Sequence, residues 1–190
     1  MKQLEEMILR EGQVLPGEIL KVGSFLNQNI DTRLLTRMGD EIAHLFEGRG
    51  VNKILTIEAS GIAIATAAGM AMDVPVLFAK KHKTSNVDGS VYSTVVHSFT
   101  HGEDYNVVVS RSYLGPADCV LLVDDFLANG NALRGLMDLC DQAGATVAGV
   151  AIAVEKCFTG AGDKLRAEGV KLESLAMIES MSEDSLVFRS

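Results

Sequence analysis

The run Val120-Leu121-Leu122-Val123-Asp124-Asp125-Phe126-Leu127-Ala128-Asn129-Gly130-Asn131-Ala132 constrains this chain more than any other stretch. Four aliphatics lead into two adjacent acids, then a short loop of small residues with a glycine, then an amphipathic helix. A strand feeding such a loop leaves the first N–H groups of the next helix unpaired and pointing outward, a cradle for a phosphate. Two carboxylates aimed at that phosphate would repel it. They fit if they accept hydrogen bonds from sugar hydroxyls or face a cation, so the run suggests a ribose phosphate held at both ends. The plainer alternative is a buried strand capped by a helix start, with the acids as ordinary N-caps.

The rest of the chain repeats the strand-then-helix rhythm, which predicts an α/β fold with a mostly parallel sheet and crossover helices. Helices are expected over residues 1–11 and from Asp31 to Arg49, where Leu34, Leu35, Met38, Ile42, Leu45 and Phe46 recur at helical spacing behind an Asp31 N-cap. Lys53–Ile57 reads as a strand, followed by an alanine-rich helix through Met72 and a strand from Val74 to Ala79. Residues 80–104 are a polar stretch with a hairpin-like Val91–Val95 inside it. Further strands are expected at Tyr105–Ser110, at Val120, at Val147–Val154, at Val170–Ile178 and at Leu186–Phe188, with a helix over Ala132–Ala143. No repeat or linker interrupts the pattern, so residues 1–190 are expected to form one domain.

Composition narrows the partners. A net charge of -8 argues against a nucleic-acid or anionic-membrane surface, and no apolar run approaches the ~20 residues a membrane span needs. Cys119, Cys140 and Cys157 are far apart, and neither they nor His44, His82, His97 and His101 show ligand spacing, so no protein metal site is expected. Reduced thiols and a polar amphipathic start without signal-peptide features point to the cytoplasm.

Three other places carry chemistry. Glu58-Ala59-Ser60-Gly61-Ile62 is a second strand-to-helix joint, where small residues let a ligand approach the backbone and the helix start favours an anion. It is equally a tight turn before a closely packed helix. Lys80-Lys81-His82-Lys83 opens the polar stretch; such a cluster is usually a solvated face, but a departing pyrophosphate needs cations, and Lys81 and Lys83 are the candidates. A long polar segment in a compact domain also suggests a lid. Lys156 ends a buried strand, where open α/β sheets bind ligands, and its ammonium can donate to a carbonyl oxygen of a base while Phe158 stacks on the ring. A Glu155–Lys156 salt bridge is the competing reading.

The Asp124–Ala132 run resembles the phosphoribosyl-diphosphate (PRPP) signature of the type I phosphoribosyltransferases. The resemblance implies that Asp124 and Asp125 hold the ribose hydroxyls and that Ala128, Asn129, Gly130, Asn131 and Ala132 bind the 5′-phosphate. Asn129 and Asn131 stand where Thr or Ser is common, so backbone donors carry more of the grip. The loop at Ser60 and Gly61 would grip pyrophosphate. Four more blocks tighten the likeness: Leu20–Asp31, Thr56–Ala63, Phe78–Lys83 and Glu155-Lys156 resemble the bacterial xanthine phosphoribosyltransferases. That implies a sheet with a small hood from residues 1–35 and the C-terminal strands, a mobile lid over 80–104, and a base lying against Leu20. Asn27 and Lys156 would read its polar edge. Asn27 offers a donor and an acceptor, which suits adjacent carbonyl and N–H groups, while Lys156 only donates and suits an oxo group.

The expected reaction is xanthine plus PRPP giving xanthosine 5′-monophosphate (XMP) and pyrophosphate, with Mg²⁺ bound mainly through PRPP and pyrophosphate, in a homodimer. Guanine or hypoxanthine preference is the nearest rival, and a PRPP-sensing regulator without catalysis is a second. The regulator is disfavoured because the first 30 residues lack a basic recognition helix. A P-loop ATPase would need GxxxxGK[ST], which is absent, and a receiver domain places its paired acids nearer its start.

Overall fold

The computed structural model describes residues 1–82, 89–98 and 103–189; Lys83 lies outside them. The elements are α1 (Lys2–Glu11), β1 (Gln13–Leu15), β2 (Ile19–Lys21), α2 (Thr32–Leu45), β3 (Lys53–Ile57), α3 (Gly61–Met72), β4 (Val76–His82), β5 (Val91–Ser98), β6 (Glu103–Ser110), β7 (Cys119–Leu127), α4 (Asn131–Ala143), β8 (Thr146–Lys156), α5 (Ala161–Ala167), β9 (Leu172–Ser182) and β10 (Ser185–Phe188). A single wide helical turn, Gly23–Asn27, follows β2, and a 3₁₀ turn, Cys157–Thr159, follows β8.

Eight strands form one sheet in the order β10-β9-β8-β7-β3-β4-β6-β5. The pairs β3–β4, β3–β7, β7–β8 and β8–β9 are parallel. The two ends are antiparallel, β4–β6–β5 on one side and β9–β10 on the other. The central strands are apolar on both faces because both are covered. On β7, Leu121 and Val123 join the core under α1, α2 and α3, while Val120 and Leu122 join the core under α4 and α5. The Asp31 carboxylate caps α2 by accepting from the N–H groups of Arg33 and Leu34 at 3.0 Å.

Several elements differ from the sequence expectation. β7 continues through the acids to Leu127, because Asp124 and Phe126 stay in register with Ile152 and Val154 of β8. β4 runs to His82, so Lys80 and Lys81 sit on a strand rather than opening a loop; β6 pairs with them. The segment 80–104, read as one loop, is mostly strand in its described part, with β5 and β6 pairing along their full length. α2 stops at Leu45, short of Arg49.

Candidate active site

Parallel strands that end together leave a crevice beyond their carboxyl ends. β3, β4, β7 and β8 deliver Gly61, Lys81, Asp124 and Lys156 to that edge in turn. Asp124 is buried, at 6% exposure, and its Oδ1 accepts the Asp125 N–H at 2.9 Å. The half-buried Asp125 in turn accepts the Phe126 N–H at 3.0 Å. Burial, with the neighbouring Asp125 charge behind it, pushes the Asp124 carboxyl well above its usual range, and the Lys81 ammonium opposes this.

Gly61 is required by this packing. A Cβ there would lie 3.0 Å from the Asp124 Oδ1 and 2.2 Å from the Thr56 Oγ1. Small size at the first residue of α3 therefore lets the Gly61 backbone close on Asp124. Ser60 precedes α3 and makes no side-chain cap, so the helix N–H groups are not taken by it. The Thr56 hydroxyl is fully buried and has no hydrogen-bond partner among the described residues. Thr56→Val is expected to raise stability by about 1 kcal/mol, since an orphan hydroxyl costs its desolvation; a thermal melt checks this, and a lower melting temperature would contradict it.

Beyond the acids, Ala128–Asn131 bends around Gly130 at φ 78° into α4. A cleft of about 180 Å³ is walled by this loop, Asp124, Phe126, Tyr105 and Leu133. That is below the ~300–1,000 Å³ of drug-sized sites. The Asn131 side chain donates to the His97 carbonyl at 3.1 Å and so ties β5 to the loop after β7. From the other side, the Thr159 hydroxyl donates to the Ala128 carbonyl at 2.6 Å. The loop is braced at both ends.

The end of β8 centres on Lys156. Its ammonium donates to the Glu18 carbonyl at 2.7 Å and lies 6.0 Å from the Phe126 ring centroid, and burial lowers its pKa. Leu20 is buried in the core cluster against which Phe158 and Phe126 also pack, whereas Asn27 is exposed at the end of the wide turn after β2. The Glu155–Lys156 salt bridge does not form. Successive residues of β8 point opposite ways, and Glu155, fully buried, takes Arg166 in a two-pronged pair at 2.9 and 2.6 Å. Arg166→Met is expected to destabilise by about 3 kcal/mol, because it strands a buried carboxylate. Denaturant unfolding checks it, and adding Glu155→Gln should recover part of the loss.

Sequence reasoning missed Tyr105, Phe126, Thr159 and Glu18. Phe126 alone carried a signal, being inside the motif; the other three acquire their positions from distant pairing. Among the described residues no group of three His, Cys, Asp or Glu side chains is gathered as a metal cage, and no helix is long and apolar enough to cross a membrane.

Comparison with known proteins matches these features. The Phosphoribosyl transferase domain family covers residues 32–174. A xanthine phosphoribosyltransferase of Bifidobacterium longum (strain NCC 2705) is 55% identical over 97% of this chain and 96% of its own length. That of Lactiplantibacillus plantarum is 48% identical over 100% of this chain and 97% of its own. Among solved structures, adenine phosphoribosyltransferase from Thermoanaerobacter pseudethanolicus superposes with a TM-score of 0.72 at 20% identity, covering 90% of this chain and 98% of that one. The Giardia lamblia enzyme complexed with 9-deazaadenine gives 0.74 at 19% identity, covering 90% and 96%. Those two share the fold. With the family domain matched over residues 32–174 and near-full-length relatives about half identical, the chain belongs to the phosphoribosyltransferase family, among the xanthine phosphoribosyltransferases.

Proposed function

We propose that this chain transfers the phosphoribosyl group of PRPP to N9 of xanthine, releasing pyrophosphate and forming XMP. The observation that carries the reading is the row of Gly61, Lys81, Asp124 and Lys156 along one sheet edge, with a braced phosphate loop beside it. In the reaction the C1′–oxygen bond to pyrophosphate breaks, the C1′–N9 bond forms, and the N9 proton goes to solvent. The transition state places positive charge on the ribose and negative charge on pyrophosphate, so the protein's work is positioning and electrostatics.

Asp124 and Asp125 accept from the ribose hydroxyls, and their charge favours a cationic sugar. The backbone of Ala128–Ala132 takes the 5′-phosphate, and the Ser60–Gly61 backbone with Lys81, and with Lys83, takes pyrophosphate. Leu20 and Phe158 flank the base, and Asn27 and Lys156 read its edge. Two carboxylates with oxygens left over suit a Mg²⁺ that keeps waters and substrate oxygens, better than they suit a protein-caged ion. When bound, Mg²⁺ neutralises the pyrophosphate; Asp124 and Asp125 are the residues that would sit beside it.

Residues 1–190 act as one domain in this reading, with 1–35 and the C-terminal strands as hood and 80–104 as lid. A homodimer, and a cytoplasmic location that keeps Cys119, Cys140 and Cys157 as free thiols, belong to the same proposal. The test is kcat/KM for xanthine, guanine, hypoxanthine and adenine with PRPP and Mg²⁺. Xanthine should be the best substrate. A preference for guanine or hypoxanthine would overturn the base assignment, and PRPP binding without turnover would make the chain a sensor.

A further inference from the structure

We propose that Tyr105 is a positioning residue for PRPP capture: its ring face holds the Lys81 ammonium beside the ribose acids, where a phosphate of PRPP meets it. The proposal rests on the pyrophosphate role given to Lys81. In the antiparallel β4–β6 pair Lys81 stands opposite Val107, so Tyr105, two residues along β6, is its diagonal neighbour on the same face. The Lys81 ammonium lies 5.0 Å from the Tyr105 ring centroid, within the range of cation–π attraction. The Lys81 backbone is fixed as well, its N–H donating to the Glu58 Oε1 at 2.5 Å. Tyr105 also walls the cleft shared by Asp124 and the phosphate loop.

The arrangement solves a specific difficulty. Asp124 feels the Lys81 charge, so an ammonium without other support would be drawn onto the carboxylate that the ribose needs. A second carboxylate could hold the lysine away, but would bind it too firmly and add repulsion toward PRPP. A ring face attracts the ammonium more weakly than a phosphate does, so it keeps the cation in place without competing with the phosphate oxygens that join it on binding. Burial, with Asp124 as the lesser cause, pushes the Tyr105 hydroxyl pKa up, which keeps the ring neutral.

Initial-rate kinetics with Mg²⁺ test this on wild type, Tyr105→Leu, Tyr105→Phe, Lys81→Met and the Tyr105→Leu Lys81→Met double variant. Tyr105→Leu is expected to raise the KM for PRPP about three- to fivefold, the size of a cation–π contact, with the KM for xanthine unmoved. Tyr105→Phe, which keeps the ring face, should restore the PRPP KM. In the Lys81→Met background, Tyr105→Leu should add little, since the two residues act as one unit. Additive losses, or a Tyr105→Phe as weak as Tyr105→Leu, would overturn the ring's role while leaving the activity standing. An unchanged PRPP KM in Lys81→Met would overturn the lysine's role and this proposal with it. Absence of turnover by the wild type would instead overturn the proposed reaction.

Discussion

Asp124→Asn is expected to cut kcat/KM about 10²-fold while leaving the melting temperature at neutral pH equal to or above that of the wild type. The two effects separate if, as proposed, the carboxylate serves the ligand and not the fold. An amide keeps the shape and still accepts the Asp125 N–H, which in the wild type donates to Asp124 at 2.9 Å. What it loses is the negative charge that favours a cationic ribose and the charge-assisted acceptance of a sugar hydroxyl.

The pH dependence of stability has a definite sign. In the unfolded chain the Asp124 carboxyl titrates near its ordinary value of 3.8, and in the folded chain burial and Asp125 raise it. Between those values the folded state holds the extra proton, so stability falls as pH rises through the window. The amide of the variant carries no such proton. Its advantage in melting temperature should therefore be greatest at neutral pH and fade as pH falls toward 3.8. Thermal melts from pH 7 downward, beside kinetics at neutral pH, decide the matter. A variant that loses stability and activity together would make Asp124 a structural residue.

The strand with its two acids and the loop into α4 were legible because a short contiguous run holds them. β7 and β8 were legible for a related reason: strands covered on both faces read as unbroken aliphatic runs. The β1–β2 hairpin was not, since each strand is three residues long and offers no period to read. α5, at seven residues with two glycines flanking or entering it, has no amphipathic stripe either. Tyr105 looks like any strand aromatic until the β4–β6 register sets it beside Lys81. Glu155 was read beside its sequence neighbour, yet strand alternation turns it inward to Arg166. Contacts made across many residues are the part that a local pattern cannot hold.

Lys156 shows that limit most clearly, and it carries the second large effect. Lys156→Met should lower kcat/KM for xanthine about 100-fold, the upper range for a charged hydrogen bond, with the PRPP KM little changed. The methionine keeps the apolar stem that packs near Phe126 but cannot donate to an oxo group. Discrimination against adenine should shrink at the same time, because the wild-type ammonium meets an amino group as donor against donor. The ammonium also donates to the Glu18 carbonyl at 2.7 Å, which joins the tip of the β1–β2 hairpin to the end of β8. Losing that tie should loosen the hairpin, so protease cleavage between β1 and β2 is expected to quicken in the variant without a matching fall in global stability. Desolvation holds the Lys156 pKa below its ordinary value of 10.5, so wild-type xanthine turnover should decline as alkaline pH removes the proton, and the methionine variant should lack that limb. If the variant keeps both the xanthine rate and the alkaline decline, some other group reads the base.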